Sequence, residues 1–196
     1  AIVISHAHGD HFAADEVLKY MLKYPMTQLI APEQAVTELM LLSGAKQILP
    51  QVTSVKLAFD QQPKAFEVAG LEIDAVRIPH AGWPSRAEIE NLVFRVTLNS
   101  QNTSVTVMHL GDADPEDKHF LPYKSHWKER VSDTALPPYW FYFSAEGNDI
   151  LNEIINAKQS IGIHVPVVIP NQLKSGTADY FSAPGETRNI GESHKH

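Results

Sequence analysis

The chain has 196 residues, room for one domain with an embellishment but cramped for two, and its 43% hydrophobic and 20% charged residues describe a globular protein able to bury a sizeable core. A net charge of −7 gives no general attraction to a phosphate backbone or an anionic membrane, so nucleic acid is not an expected partner. The absence of cysteine removes disulfide frameworks, thiolate zinc sites and cysteine nucleophiles together, and no apolar run approaches the roughly 18–20 residues of a membrane span.

The chain opens without Met in an apolar, strand-like run, Ala1–Ser5, which reads as a fragment whose natural N-terminus and any targeting signal lie outside it. The compartment is left open between cytoplasm and periplasm. After the polar stretch His6–His11, a helix is predicted from about Ala14 to Lys23, with Val17 and Met21 at i,i+4 beside Leu18 and Leu22. A short strand at Gln28–Ala31 precedes a second helix with Pro32 at its first position and Val36, Leu39 and Met40 at helical spacing, closed by Ser43-Gly44. From Val52 the texture changes to β-prone runs: Val52–Phe59, Lys64–Val68, Leu71–Ile78, Leu92–Leu98 and Ser104–Leu110, the last two joined by a hairpin at Asn99–Asn102. A helical or irregular insert is expected at Pro115–Val131, then an aromatic run within Thr134–Ser144. An amphipathic helix follows on Ile150, Leu151, Ile154 and Ile155, and a buried strand at Ser160–Val168. The domain is expected to span 1–170, with 171–196 a loosely ordered polar tail.

Four ligand-type side chains fall within six residues in His6-Ala7-His8-Gly9-Asp10-His11. His6 and His8, two apart on an extended segment, project from one face and could share a metal, while Asp10 and His11 point elsewhere after the turn at Gly9. Placing so many polar groups at the end of an apolar strand is costly unless something engages them.

The motif His6-x-His8-x-Asp10-His11 after an apolar strand resembles the signature of the metallo-β-lactamase superfamily, and details are most like its ascorbate-6-phosphate lactonase-like and phospholipase-D-like branch. The later motifs fit in order: His80 in Arg77-Ile78-Pro79-His80-Ala81-Gly82, Asp112 in a Gly-Asp turn, and His164 in Gly162-Ile163-His164-Val165-Pro166. The resemblance implies an α/β fold, an αββα sandwich of two packed mixed sheets with helices outside, here lacking its opening N-terminal strands. The edge so exposed could be filled by a second chain, giving a homo-oligomer.

By that resemblance one divalent ion belongs to His6, His8 and His80 and another to Asp10, His11 and His164, with Asp112 bridging them. Zinc suits this set, and manganese or iron would tolerate it. Two such ions roughly 3.5–4 Å apart would activate water against a small anionic, ester, lactone or phosphoester substrate, with Asp10 also able to exchange a proton with the leaving group. His109, close to Asp112 in sequence, is the alternative to His80 as ligand. A catalytically silent metal-binding or interaction domain is the alternative function.

Weaker candidates remain. Asp114 reads as a turn acid or as an outer partner of the site. His119 and His126, with Lys118, Lys124 and Lys128, read as a solvated helix face or, second, an anion patch. Trp83 is the aromatic residue expected in a substrate pocket, Tyr139–Tyr142 being explained at least as well by core packing, and His194 and His196 are assigned to the tail.

Overall fold

Leu29, Ile30 and Ala31 are all fully buried, as consecutive residues can be only on a central strand covered on both faces. The structure of the protein, a computed structural model, describes residues 1–101 and 103–190. The hairpin position Asn102 and the tail residues His194 and His196 lie outside them.

A first, three-stranded parallel sheet has the order β1 (Ile2–Val3), β2 (Leu29–Pro32), β3 (Val52–Val55). Helices α1 (Ala14–Lys23) and α2 (Glu33–Met40) make the crossovers between these strands. In α1 the buried residues are Ala14, Leu18 and Met21, at i, i+4 and i+7. Leu22 is exposed, so the buried stripe is narrower than the sequence suggested.

The second sheet has seven strands. Its antiparallel half runs β4 (Lys64–Val68), β5 (Leu71–Arg77), β6 (Leu92–Asn99), β7 (Ser104–His109). Its parallel half adds β8 (Thr134–Leu136), β9 (Gln159–Gly162) and β10 (Asp179–Tyr180) to β7. This sheet is mixed and the first is purely parallel, where two mixed sheets were expected.

Alternation sorts the side chains into layers. Leu29 and Ala31 face Leu18, Met21 and Leu39 of the first helical layer, whereas Ile30 turns to the other sheet and meets Ile73, Ala75, Leu92 and Phe94. The far face of the second sheet, with Val76, Val93 and Met108, packs on Trp127 of α3 (Lys124–Glu129) and on Ile150, Leu151, Ile154 and Ile155. Those four residues continue α4 (Ala145–Asp149) as a π-helical turn ended by Asn156 in the left-handed conformation. The expected αββα sandwich is thus present, two sheets face to face with helices outside.

Two segments differ from expectation. The last buried strand ends at Gly162 rather than Val168, because His164 takes a positive φ of 61° and leaves Val167 and Val168 exposed. Residues beyond Asn171, expected to be loose, include α5 (Asn171–Ser175) with a buried Leu173, and β10 on the sheet edge. Gly162 makes the room: a Cβ there would come within 2.8 Å of Tyr142 Cε2 and 3.1 Å of Tyr180 Cβ.

Charge also ties the layers. Buried Arg95 on β6 donates to Asp74 on β5 and to the carbonyls of His126 and Arg130, which ends α3 on a guanidinium. Asp133 accepts from the Thr106 N–H (2.8 Å) and from Lys158 Nζ (2.6 Å), linking β7 to the segments flanking β8 and β9. Burial pushes the Asp133 carboxyl up, but Lys158 and the amide outweigh it and hold the group below its ordinary value. A carboxyl lowered on folding contributes stability above its unfolded pKa and loses it as pH falls through the folded one. Asp133→Asn should therefore cost about 1.5–3 kcal/mol at pH 7 in urea unfolding, with the gap to wild type closing below about pH 4. An equal gap at pH 7 and pH 3 would remove the ionic contribution.

Candidate metal centre

The strand-to-helix loop after β1 is fixed from both sheets. The Ile4 N–H donates to the Ile30 carbonyl (3.0 Å), and the Leu92 N–H, at the start of β6, donates to the Ser5 carbonyl (2.8 Å). His6 is fully buried, its Nδ1 3.1 Å from the Ser5 hydroxyl. The His8 carbonyl then accepts from the N–H groups of His11 (2.9 Å) and Phe12 (2.8 Å), a tight turn anchored by the buried Phe12 ring. This turn separates His6 and His8 from Asp10 and His11.

From the second sheet, the C-terminal ends of β5, β7 and β9 deliver His80, Asp112 and His164 to the same edge. The His80 loop is stitched to the Asp112 loop: Ala81 N–H donates to the Asp112 carbonyl (2.7 Å), and Asp114 N–H to the Pro79 carbonyl (2.8 Å). His80 Nδ1 donates to the Ala81 carbonyl (2.8 Å), which leaves Nε2 as the nitrogen with a free lone pair. The Asp112 N–H donates to Oδ1 of buried Asn91 (3.0 Å), and Asn91 Nδ2 donates to the carbonyls of Ile78 and Leu110 (both 3.3 Å). Gly111 is required here. Its φ is +57°, and a Cβ would lie 2.3 Å from Asn91 Oδ1 and 2.7 Å from Ser5 Cβ.

Two groups of ligand atoms result. His6, His8, His80 and Asp112 form one and Asp10, His11 and His164 the other, each with its ligand atoms within 4.8 Å of one another. Asp112 sits between them. Its Oδ2 lies 3.9 Å from His6 Nε2, 3.5 Å from His80 Nε2 and 3.4 Å from His164 Nε2, and its Oδ1 is 3.1 Å from His11 Nε2. Asp10 Oδ2 is 3.1 Å from His164 Nε2. His109 joins neither group. Its Nδ1 accepts from the Gly111 N–H (2.9 Å), and burial together with the nearby His11 lowers it to about 4.

The donor set fits divalent ions. Among the described residues His6 Nε2 and His80 Nε2 are buried without a hydrogen-bond partner, an arrangement that costs roughly 1–3 kcal/mol for each group unless another species engages it. Burial and the surrounding imidazoles hold His6 down at about 3, so it is neutral at pH 7 with its lone pair available. Burial pushes Asp112 up, but the imidazoles around it, His11 first, prevail and keep it an anion. Imidazole nitrogens converging on a carboxylate are the ligands that zinc, manganese or iron take.

An open cleft of about 540 Å³ leads to the second group, walled by Tyr139, Trp140, Ile163 and Val165 beside Asp10 and His164. Trp140 is fixed by its Nε1 donating to the Ala113 carbonyl (3.1 Å), with its ring 5.3 Å from that of His164. The aromatic residue at the centre is thus Trp140, while Trp83 lines a separate cavity of about 260 Å³ with Phe59 and His119. Asp114 is a buried clamp rather than an exposed turn acid, Oδ2 accepting from the N–H groups of Gly82 (3.2 Å) and Trp83 (3.3 Å). His119 and His126 do not form a solvated face. Their side chains are 10% and 21% exposed, and His126 Nε2 accepts from Arg95. Sequence reasoning missed Asn91 and Ser5, since a lone amide before a strand and a serine in a loop carry no pattern that marks them as supports.

A sandwich of two sheets flanked by helices, with histidines and aspartates gathered at the strand ends of one edge, defines the metallo-β-lactamase class of fold. Residues 1–124, more than half of the chain, match the family model described as the Beta-lactamase superfamily domain, and the chain belongs to that family. Among solved structures it is similar to one described as "Crystal Structure of a New Diphosphatase from the PhnP Family", at 16% identity and a TM-score of 0.52. That match covers 91% of this chain and 66% of the other, so the chain spans just under two thirds of the length of the structure it resembles. No curated protein matches.

Gly111→Ala should destabilise the protein by about 1–3 kcal/mol, because the methyl group has to displace Asn91 or Ser5. Zinc affinity should fall with it, since Asn91 holds Asp112. Unchanged stability and zinc binding in this variant would mean that Asn91 does not set the position of the carboxylate.

Proposed function

We propose that this chain is a metal-dependent hydrolase whose binuclear centre acts on a small anionic ester, lactone or phosphoester. The observation that carries the reading is the position of Asp112, in reach of imidazoles from both groups at 3.1–3.9 Å. In this reading His6, His8 and His80 hold one ion, Asp10, His11 and His164 the other, and Asp112 bridges. Bound together, two divalent ions supply Lewis-acid polarisation of the substrate and a water of lowered pKa.

The remaining steps belong to the chain's own side chains. Asp10, its carboxylate 63% exposed at the cleft, is placed to accept a proton or return it to the leaving group. Trp140 and Tyr139 give the substrate an apolar wall, and a cleft of about 540 Å³ suits a small molecule. The resemblance of the motifs to lactonase-like and phospholipase-D-like hydrolases is the reason for including lactones and phosphoesters among the candidates. The similar structure is described as a diphosphatase, which makes phosphoesters the first class to assay.

Metal-loaded protein should turn over at least one member of a panel of diphosphate, phosphodiester, lactone and β-lactam substrates, and His8→Ala should lower that rate by a hundredfold or more, on the order of 3 kcal/mol. Full metal occupancy without turnover of any of them would favour the catalytically silent, metal-binding alternative.

Asp112→Asn isolates the bridging role, because asparagine keeps the shape and removes one negative charge from between the ions. Zinc affinity should fall about tenfold to a hundredfold, the equivalent of a charge-assisted interaction of about 1.5–3 kcal/mol. Calorimetric titration giving equal stoichiometry and affinity in variant and wild type would reject the bridge.

A further inference from the structure

Outside the paired groups, Asp114, Glu116 and His119 also offer ligand atoms that lie within 4.8 Å of one another. We propose that these three residues form a third, mononuclear site for a divalent transition-metal cation, separate from the pair at Asp112.

The site is marked by what its buried atoms lack. Asp114 is 6% exposed, and while its Oδ2 is engaged by the N–H groups of Gly82 and Trp83, its Oδ1 has no hydrogen-bond partner among the described residues. The His119 side chain is 10% exposed, and its Nε2 is also without a hydrogen-bond partner among them. Nε2 lies 3.9 Å from Asp114 Oδ1 and 3.9 Å from Glu116 Oε2, too far for a hydrogen bond to either. A tetrahedral ion with bonds of about 2 Å holds adjacent ligands about 3.3 Å apart, so closing on one takes a shift of about half an ångström.

Access and competition are both visible. His119 lines the cavity of about 260 Å³ shared with Trp83, Phe59 and Asp60, which leaves room for water to complete the coordination. Lys118 Nζ, on the same cavity, pairs with Glu116 Oε2 and competes for that carboxylate. One imidazole and two carboxylates select zinc or manganese over softer ions. With Lys118 in place, this site is the weakest of the three.

Equilibrium dialysis against zinc or manganese, with metal counted per chain, tests the proposal. Wild type should hold a third, weaker ion that is absent from His119→Ala and from the size-conserving His119→Gln, with both variants checked for native circular dichroism. Lys118→Ala should tighten the third ion by a few fold, the modest effect of removing an exposed competitor, and Glu116→Gln should weaken it. His8→Ala should lose metal from the main centre while keeping the third ion, which separates failure here from failure of the binuclear reading. Only two ions in saturated wild type, or a third that survives His119→Ala and ignores Lys118→Ala, would overturn the site.

Discussion

The arrangement depends on the burial of one carboxylate among imidazoles. Asp112 is 6% exposed and faces four histidines contributed by both sheets, so its charge has partners only while loops from β1, β5, β7 and β9 stay in place. The hydrogen bonds around it serve that requirement. Asn91 ties the β5 and β7 ends together, and Asp114 secures the loop that carries His80. Charged buried groups are costly to leave unpaired, and the protein meets that cost by rigid stitching of loops rather than by regular secondary structure.

Much of this was legible in the sequence for identifiable reasons. Helix α1 and the antiparallel strands follow local periodicity, which needs no knowledge of the rest of the chain, and their observed bounds lie close to the predicted ones. Layering followed from resemblance, because the cluster His6–His11 at the end of an apolar strand is specific to one class of fold. What local pattern could not supply was tertiary in origin. Apolar Val165–Val168 look like strand, yet the left-handed backbone at His164 turns the chain away from the sheet. Residues 171–180 look like tail, yet they find a place beside Gly162.

The histidines outside the ligand motifs show the same limit. His126 and His119 sit among lysines in the sequence and suggest a solvated surface, but α3 is short and rotated so that Trp127 enters the core and His126 meets Arg95. Arg95 cannot be recognised as buried from its position in an apolar run. Only the register that sets it opposite Asp74 explains how a guanidinium is tolerated there.

One consequence follows from the layer between the sheets. His6, His8, Asp10 and His11 hang from the first sheet, while His80, Asp112 and His164 hang from the second, and the spacing between the two sets is the thickness of the core built from Ile30, Val55, Ile73, Ala75 and Phe94. Close-packed interiors transmit a change of even one methylene. The residues that set the width across each of the two ligand groups are therefore apolar ones that touch no ligand atom, and a search for variants with altered affinity for divalent ions would do well to begin in that hydrocarbon layer.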